Sequence, residues 1–256
     1  MTASRRRAIP LLSFVVLAIA AHSAHTESDR VGLILSKLPP QGSAAYEAVR
    51  MPAGKAKGQI LPLTKSEVWS VPARKVDAIK SAARAHGVDV DVLDADWNHV
   101  FRPPPADLKL TAQQEAMMQH AHAEKATTAI GIVAAPAPAL VEYALTKDAA
   151  AKLPAKDAPK IVVTLSDKSP LTLTRTSVDI KPDMCIWRGA VDGTDMPVTI
   201  MWWPRGKMAG LIQHRGHVYA IRHIGGEVHA IIETSEALMP EDHPPGPPSP
   251  RKDGAR

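Results

Sequence analysis

Cysteine is almost absent from this sequence, since Cys185 is the only one in 256 residues. One thiol cannot form an internal disulfide, so the cores of the protein must hold by packing alone. The remaining thiol is either buried, paired with another chain or a ligand, and burial is the commonest of these outcomes. The sequence therefore predicts a fold without covalent cross-links.

Recognisable catalytic motifs are also absent. The chain has no H-E-x-x-H, no G-x-S-x-G, no glycine-rich phosphate loop and no C-x-x-C. We therefore predict a protein that is not an enzyme and carries no cofactor. The alternative is an enzyme whose polar residues converge from separate parts of the chain without a local motif.

Long apolar runs are missing everywhere except at the N-terminus. There, Arg5, Arg6 and Arg7 precede an apolar stretch over 9–21, which at about 13 residues is shorter than the roughly 20 that a membrane-spanning helix needs. Small residues suited to cleavage end the stretch. We interpret 1–24 as a secretory signal peptide, with a retained anchor as the alternative, and expect a secreted or periplasmic protein without stable membrane insertion.

A dense basic surface is missing as well. Without 1–24, 28 basic residues face 26 acidic ones, and the two signs are interspersed along the chain. Nucleic-acid binders carry clustered Lys and Arg on one face or one helix. The charge pattern therefore predicts no nucleic-acid partner.

Residues 25–105 are predicted to form a small α/β domain. A short strand at 68–71 precedes an amphipathic helix at 73–86, which Gly87 follows where a C-terminal cap belongs. A strictly alternating strand comes next, at 88–92. This order predicts a β-α-β unit.

The rest of the chain changes character twice. Residues 106–159 predict a helix, with the capping-box pair Thr111 and Gln114 at its start, followed by an Ala/Pro-rich linker. Residues 160–235 predict an antiparallel β meander with glycine-containing turns. The Pro-rich segment 236–256 predicts a disordered tail. The fold class is therefore α+β.

The histidines of the meander raise the question of a metal site. If Arg215-Gly216 is a two-residue hairpin turn, then His214 pairs directly with His217. His223 lies six residues further along the strand, about 20 Å away. His214 and His217 are thus the only candidate metal ligands, and two ligands do not make a tight site. We predict no metal centre.

The second hairpin predicts which residues form the core face. If Gly225-Gly226 is its turn, Arg222 pairs with His229, and His229 points away from the core. The predicted core face then consists of apolar residues from three strands: Ile212, Tyr219, Ile221, Val228, Ala230 and Ile232.

The meander also contains a recognisable order of short patterns. These are W-x-G, G-x-I, G-x-x-Y-x-I and H-x-I, at Trp187–Gly189, Gly210–Ile212, Gly216–Ile221 and His229–Ile231. The order resembles the propeptides of secreted zinc metallopeptidases of the reprolysin-like (adamalysin-related) kind, over 160–235. In that family a zinc catalytic domain follows the propeptide, whereas this chain carries no H-E-x-x-H.

The resemblance implies that the chain binds a secreted zinc metallopeptidase as an inhibitor or folding helper. Cys185, Trp202 and Trp203 are then the candidate partner-binding residues, with the thiol as a zinc ligand and the tryptophans as anchors. Cys185 precedes the meander, however, whereas the latency cysteine of the family follows it. The alternative is a periplasmic structural or small-ligand-binding protein that shares only the meander and has an apolar pocket.

Overall fold

The computed structural model describes residues 29–56, 58–151, 153–235 and 237, in two units that divide after Trp97. The predicted signal peptide, and the predicted tail apart from residue 237, lie outside the described residues. Helices and antiparallel sheets occur together, which confirms the α+β class.

The first unit is a four-stranded antiparallel sheet with two helices, in the strand order β2-β3-β1-β4. Its elements are β1 (Arg30–Ser36), α1 (Ala44–Arg50), β2 (Gly58–Ile60), β3 (Glu67–Pro72), α2 (Val76–Ala85) and β4 (Asp89–Val92), with 3₁₀ turns at Met51–Ala53 and Ala73–Lys75. The predicted β-α-β unit is present as β3, α2 and β4, and β1 lies between its two strands. This is the split β-α-β order of ferredoxin-like domains.

The core of the first unit forms between one sheet face and the helices. Leu33 pairs with Trp69 across β1 and β3, and both pack with Ile79 and Ala83 of α2. Gly87 has a φ of +69° just after α2, as the helix-stop pattern predicts.

A buried carboxylate ties this core together. Both oxygens of Glu67 accept hydrogen bonds from neutral donors: Gln41 Nε2 at 2.8 Å, Trp69 Nε1 at 2.8 Å and the Tyr46 hydroxyl at 3.1 Å. Burial, followed by these contacts with Glu67, raises the pKa of Tyr46. Because the donors come from α1, β3 and the loop before α1, the network positions α1 on the sheet.

The second unit is an eight-stranded antiparallel sheet in the order β5-β12-β11-β10-β9-β8-β7-β6. Its strands are β5 (Thr127–Ala134), β6 (Lys160–Thr164), β7 (Pro170–Ile180), β8 (Cys185–Val191), β9 (Pro197–Trp202), β10 (Met208–His214), β11 (His217–Gly225) and β12 (Val228–Ser235). Its helices are α3 (Ala112–Ala123) and α4 (Pro138–Thr146), with a 3₁₀ turn at Ala155–Asp157. The predicted meander from 160 to 235 is confirmed.

The sheet closes on itself through the short segment 98–102. On one side, Val100 N donates to Val162 O of β6 at 3.0 Å. On the other side, Arg102 N donates to Ala134 O of β5 at 2.8 Å, and the reverse bond is 2.9 Å. Both edge strands therefore find a partner, and 98–105 belong to the second unit rather than to the first, where the sequence placed them.

The segment 106–159 contains more than a helix and a linker. The predicted helix is α3, and its capping box is complete, since Thr111 accepts from Gln114 N and the Gln114 side chain accepts from Thr111 N. The segment also supplies β5 and α4. β5 pairs with β12, about a hundred residues later in the chain, so no local pattern could reveal its place.

The hairpin registers decide which side chains enter the closed sheet. His214 pairs with His217, as predicted. In the second hairpin the prediction is wrong: His223 pairs with His229 and Arg222 with Ala230, because the pairing is irregular between His223 and Gly225. His229 therefore points inward and is fully buried.

The corrected register also divides the predicted core face between two sides of the sheet. Ile212, Tyr219 and Ile221 lie on the inner face, which also carries Trp187, Trp202 and His229. The other three lie on the outer face against α3: Val228, Ala230 and Ile232. Since both faces of β12 are buried, its residues do not alternate between apolar and polar.

Candidate functional site

A wide concavity lies at one end of the curled sheet, which we call the open end. Three connections frame it: the loop 165–169 after β6, the loop 192–196 after β8 and the turn after β10. It has a volume of about 990 Å³. In an antiparallel meander every second loop lies at the same end of the sheet, so residues far apart in sequence come together there.

The open-end pocket has an apolar wall and a polar rim. The wall consists of side chains from β7, β8 and the adjoining loops: Leu165, Pro170, Leu171, Val191 and Met196. The rim carries groups that ionise or form hydrogen bonds: Ser169, Thr172, Asp192, Thr194, Asp195, His214 and Arg215. This combination suits a ligand with an apolar body and a polar group.

Asp192 of the rim is held by two side-chain hydrogen bonds. It accepts from Lys160 Nζ at 2.8 Å and from the Thr174 hydroxyl at 2.7 Å. These hydrogen bonds lower the pKa of its carboxyl group. Asp192 is thus held as a carboxylate, and its orientation is set by β6 and β7.

The predicted histidine pair lies at this same end. His217 Nδ1 is 3.1 Å from Glu233 Oε1, at a poor hydrogen-bond angle, and Ser166 donates a short hydrogen bond to the other oxygen of Glu233. Partial burial, followed by the charge of Arg215, lowers the pKa of His214. His214 therefore lines the pocket as a neutral imidazole at neutral pH.

No third metal ligand joins these histidines. Within 29–235, apart from residues 57 and 152, no group of three His, Cys, Asp or Glu side chains could hold a metal ion. The His214–His217 contact is a cross-strand pair whose second member interacts with Glu233.

The opposite end of the sheet is filled. Helix α4 is buried on almost every side, which is typical of a helix enclosed by other elements. Arg175 binds its C-terminal end by donating to the carbonyl oxygens of Lys147 at 2.7 Å and Asp148 at 3.1 Å. Cations stabilise helix C-termini in this way.

Two of the three predicted partner-binding residues lie in this filled end. Cys185 and Trp202 pair with each other across β8 and β9, and both are 0 % exposed. Burial, together with the nearby charge of Glu142, raises the pKa of Cys185 to about 12. Trp203 is only partly buried, and Lys207 Nζ lies 5.2 Å from its ring centroid.

His229 is a buried histidine, and both of its ring nitrogens form hydrogen bonds. Its Nε2 accepts from Met208 N at 3.1 Å, and its Nδ1 donates to Glu227 O at 3.1 Å. Burial lowers its pKa to about 4. The ring also contacts Phe101 and His223, with centroids 5.3 and 5.0 Å away. His229 is therefore a neutral packing residue.

Two of the glycine-containing patterns of the meander, W-x-G and G-x-I, place their glycines at packing positions, whereas Gly216 of the third is a turn residue with a φ of +76°. A Cβ on Gly189 would lie 2.3 Å from the Trp187 ring and 2.3 Å from Thr174 O. A Cβ on Gly210 would lie 2.6 Å from Thr199 O. In both patterns the glycine therefore allows close packing against bare backbone, under the Trp187 ring at Gly189 and beside the neighbouring strand at Gly210.

No protein-family model, curated protein or solved structure matches this chain significantly. The resemblance to metallopeptidase propeptides therefore stays a prediction. Among the residues that the structure describes, no helix is long and apolar enough to cross a bilayer.

The sequence alone did not single out the open-end pocket. Its hairpin turns were visible from Gly and Pro, but Asp195 and Met196 lie in a loop without any motif. Only the alternation of loops between the two ends of the meander could have brought them together.

Proposed function

We propose that this chain is an exported binding protein that holds a small amphipathic molecule in its open-end pocket. The observation that carries the proposal is the open concavity of about 990 Å³, with an apolar wall and a rim of ionisable groups. Pockets for small molecules have this size and this combination of surfaces. Export rests on the signal peptide predicted from the sequence.

The filled opposite end supports the same proposal. Because α4 and the tryptophans pack that end, the strands that carry the pocket are held before any ligand arrives. A preformed site loses little conformational entropy on binding. The ligand that fits best places its apolar part against Leu171 and Met196, and its polar group against Asp195 and Arg215.

Titration with the neutral dye N-phenyl-1-naphthylamine tests this proposal, because its fluorescence rises in apolar surroundings. We expect saturable binding of one dye per chain. Met196→Asp places a charge on the pocket wall and is expected to weaken binding about tenfold, which corresponds to roughly 1.4 kcal/mol.

Leu211→Asp is the matched control. Leu211 is also an exposed apolar residue, 56 % exposed against 46 % for Met196, but it does not line the pocket. It should leave dye binding unchanged. The proposal is overturned if the dye does not saturate, or if the two variants weaken binding equally.

Binding to a secreted zinc metallopeptidase is a second proposal, and the accessibility of Trp203 favours it. Tryptophans are enriched among the residues that contribute most to binding at protein interfaces. The Cys185 thiol is a poor zinc ligand in this fold, because it is fully buried and its pKa is raised to about 12.

An inhibition assay with a reprolysin-like zinc peptidase from the same source separates the two proposals. If the chain is an inhibitor, stoichiometric addition blocks the peptidase, and Trp203→Ala relieves the block. Met51→Ala, which changes a 78 % exposed residue of the first unit, is the control. Absence of inhibition at micromolar concentration contradicts this second proposal and leaves the first untouched.

A further inference from the structure

Three basic side chains converge on one pocket of the first unit, which we call the basic pocket. Arg30, Lys55 and Lys75 line it together with Ser70, and Ala53, Ala56 and Pro72 complete the wall. Its volume is about 480 Å³, and no carboxylate lies among its lining residues.

Arg30 is held in place by the neighbouring strand. Its Nε donates to Ser70 Oγ at 3.0 Å, and one terminal nitrogen donates to Ser70 O through a short hydrogen bond. A guanidinium has five N–H groups, so three remain for a ligand. Because its orientation is already set, Arg30 loses little side-chain entropy when it binds.

Gly54 brings the two lysines together. Its φ of +70° turns the chain after the 3₁₀ turn Met51–Ala53, and the next residue, the exposed Lys55, lines the pocket. The Nζ atom of Lys75 lies 3.2 Å from the place that a Cβ on Gly54 would take. Lys75 is therefore folded over bare backbone and partly buried, rather than extended into solvent.

The three cations have no acidic partner in the part of the chain that the structure describes. Other basic residues do, since Lys37 pairs with Asp89 at 2.9 Å and Lys160 with Asp192 at 2.8 Å. Like charges that share a pocket repel one another, and an anion between them reverses the sign of each interaction. The arrangement is therefore most stable when an anion is present.

We propose that the basic pocket binds a tetrahedral oxyanion of the phosphate class, either free phosphate or a phosphate monoester. An arginine fork and two ammonium groups match three phosphate oxygens. The pocket is larger than one phosphate, and Ala53, Ala56 and Pro72 offer an apolar surface to an ester substituent. This site is independent of the open-end pocket.

Calorimetric titration of the full chain at low salt tests the proposal with two probes, inorganic phosphate and phenyl phosphate. We expect saturable binding that weakens as salt is added. Tighter binding of phenyl phosphate assigns the ligand to the monoester class, and equal binding assigns it to free phosphate.

Lys75→Gln and Arg74→Gln form a matched pair of variants. Both remove one positive charge from the same 3₁₀ turn, but Arg74 is exposed and does not line the pocket. Lys75→Gln is expected to weaken binding about tenfold, and Arg74→Gln less than about twofold. Lys55→Gln should add to the effect of Lys75→Gln.

Two results overturn the proposal. One is equal weakening by both variants, which would show a response to net charge alone. The other is the absence of saturable binding of either probe up to about 10 mM. A dissociation constant above that concentration corresponds to a binding free energy weaker than roughly 3 kcal/mol. An unchanged urea denaturation midpoint, followed by the fluorescence of the buried Trp69 and the other tryptophans, shows in each case that the variant is folded.

Discussion

The two ends of the curled sheet share the same strands but carry different side chains on the inner face. At the filled end, Trp202 pairs with Met208 across β9 and β10, and these two residues and Trp187 are all fully buried. At the open end, His214 and His217 occupy the corresponding inner positions and are partly exposed.

This difference shows how one sheet serves stability and binding at once. Large apolar side chains over glycine fill the enclosed volume at one end and supply the packing energy. Ionisable, partly exposed side chains take their place towards the open end, where the pocket lies. The sheet is thus stabilised at one end and free for a ligand at the other.

The largest effect on stability is expected when a large buried side chain is removed from the filled end. Trp187→Ala removes a fully buried indole ring that packs over Gly189. We expect a loss of about 3–5 kcal/mol in the free energy of unfolding, measured by urea denaturation. Met196→Ala at the open end should cost less than about 0.5 kcal/mol. Similar losses for the two variants would contradict the division into filled and open ends.

Low pH is expected to destabilise the filled end of the sheet, because His229 is buried there as a neutral side chain. Its pKa is about 4 in the folded protein and near 6.5 in the unfolded chain, so the unfolded state binds the proton first. The stabilising effect of keeping His229 neutral is complete above pH 6.5 and is lost as the pH falls towards 4. We expect it to amount to about 3 kcal/mol over that window.

Denaturation curves between pH 4 and 7 measure this contribution by difference. His229→Gln should flatten the pH dependence of stability relative to the unchanged protein. His120→Gln, at an exposed histidine of α3, is the control and should leave the slope as it was. Identical slopes for all three proteins would remove His229 as the cause.

A smaller effect is expected at Gly131 of β5, which lies directly against the loop 165–169. A Cβ on Gly131 would lie 2.7 Å from Ser166 Cα and 2.8 Å from Ser166 O. Gly131→Ala should therefore push the loop 165–169 away and cost about 1–3 kcal/mol. Because Leu165 and Ser169 line the open-end pocket, dye binding should weaken as well.

Ser166→Ala separates these two consequences. It removes the hydrogen bond to Glu233 but adds nothing near Gly131. We expect a loss of about 1 kcal/mol in stability and little change in dye binding. If Gly131→Ala leaves dye binding intact, the loop does not shape the pocket.

Local patterns in the sequence were sufficient for the elements but not for their assembly. The capping box of α3, the stop at Gly87 and the first hairpin register each depend on residues a few positions apart, and all three were predicted. β5 was not predicted, because its partner strand is distant in sequence. The register of the second hairpin was predicted wrongly, because an irregular pairing near Gly225 shifts it.

The binding pockets were harder to predict for the same physical reason. The basic pocket joins Arg30 of β1, Lys55 of the loop before β2 and Lys75 of a 3₁₀ turn, and none of them stands in a motif. The burial of Cys185 and Trp202 follows from the closure of the sheet rather than from their neighbours in sequence. Short patterns report local geometry, whereas a pocket depends on which strands become neighbours.

The segment 98–102 has a consequence for how the second unit folds. This segment forms hydrogen bonds with both β5 and β6. On its other side, β5 pairs with β12, which ends at Ser235 and is synthesised last. During synthesis the strands from β6 onwards can pair one after another, but the ring of strands cannot be completed until Ser235 has left the ribosome. Contacts across such long sequence separations slow folding. The unclosed sheet, with both edge strands exposed, is therefore the intermediate most prone to aggregate.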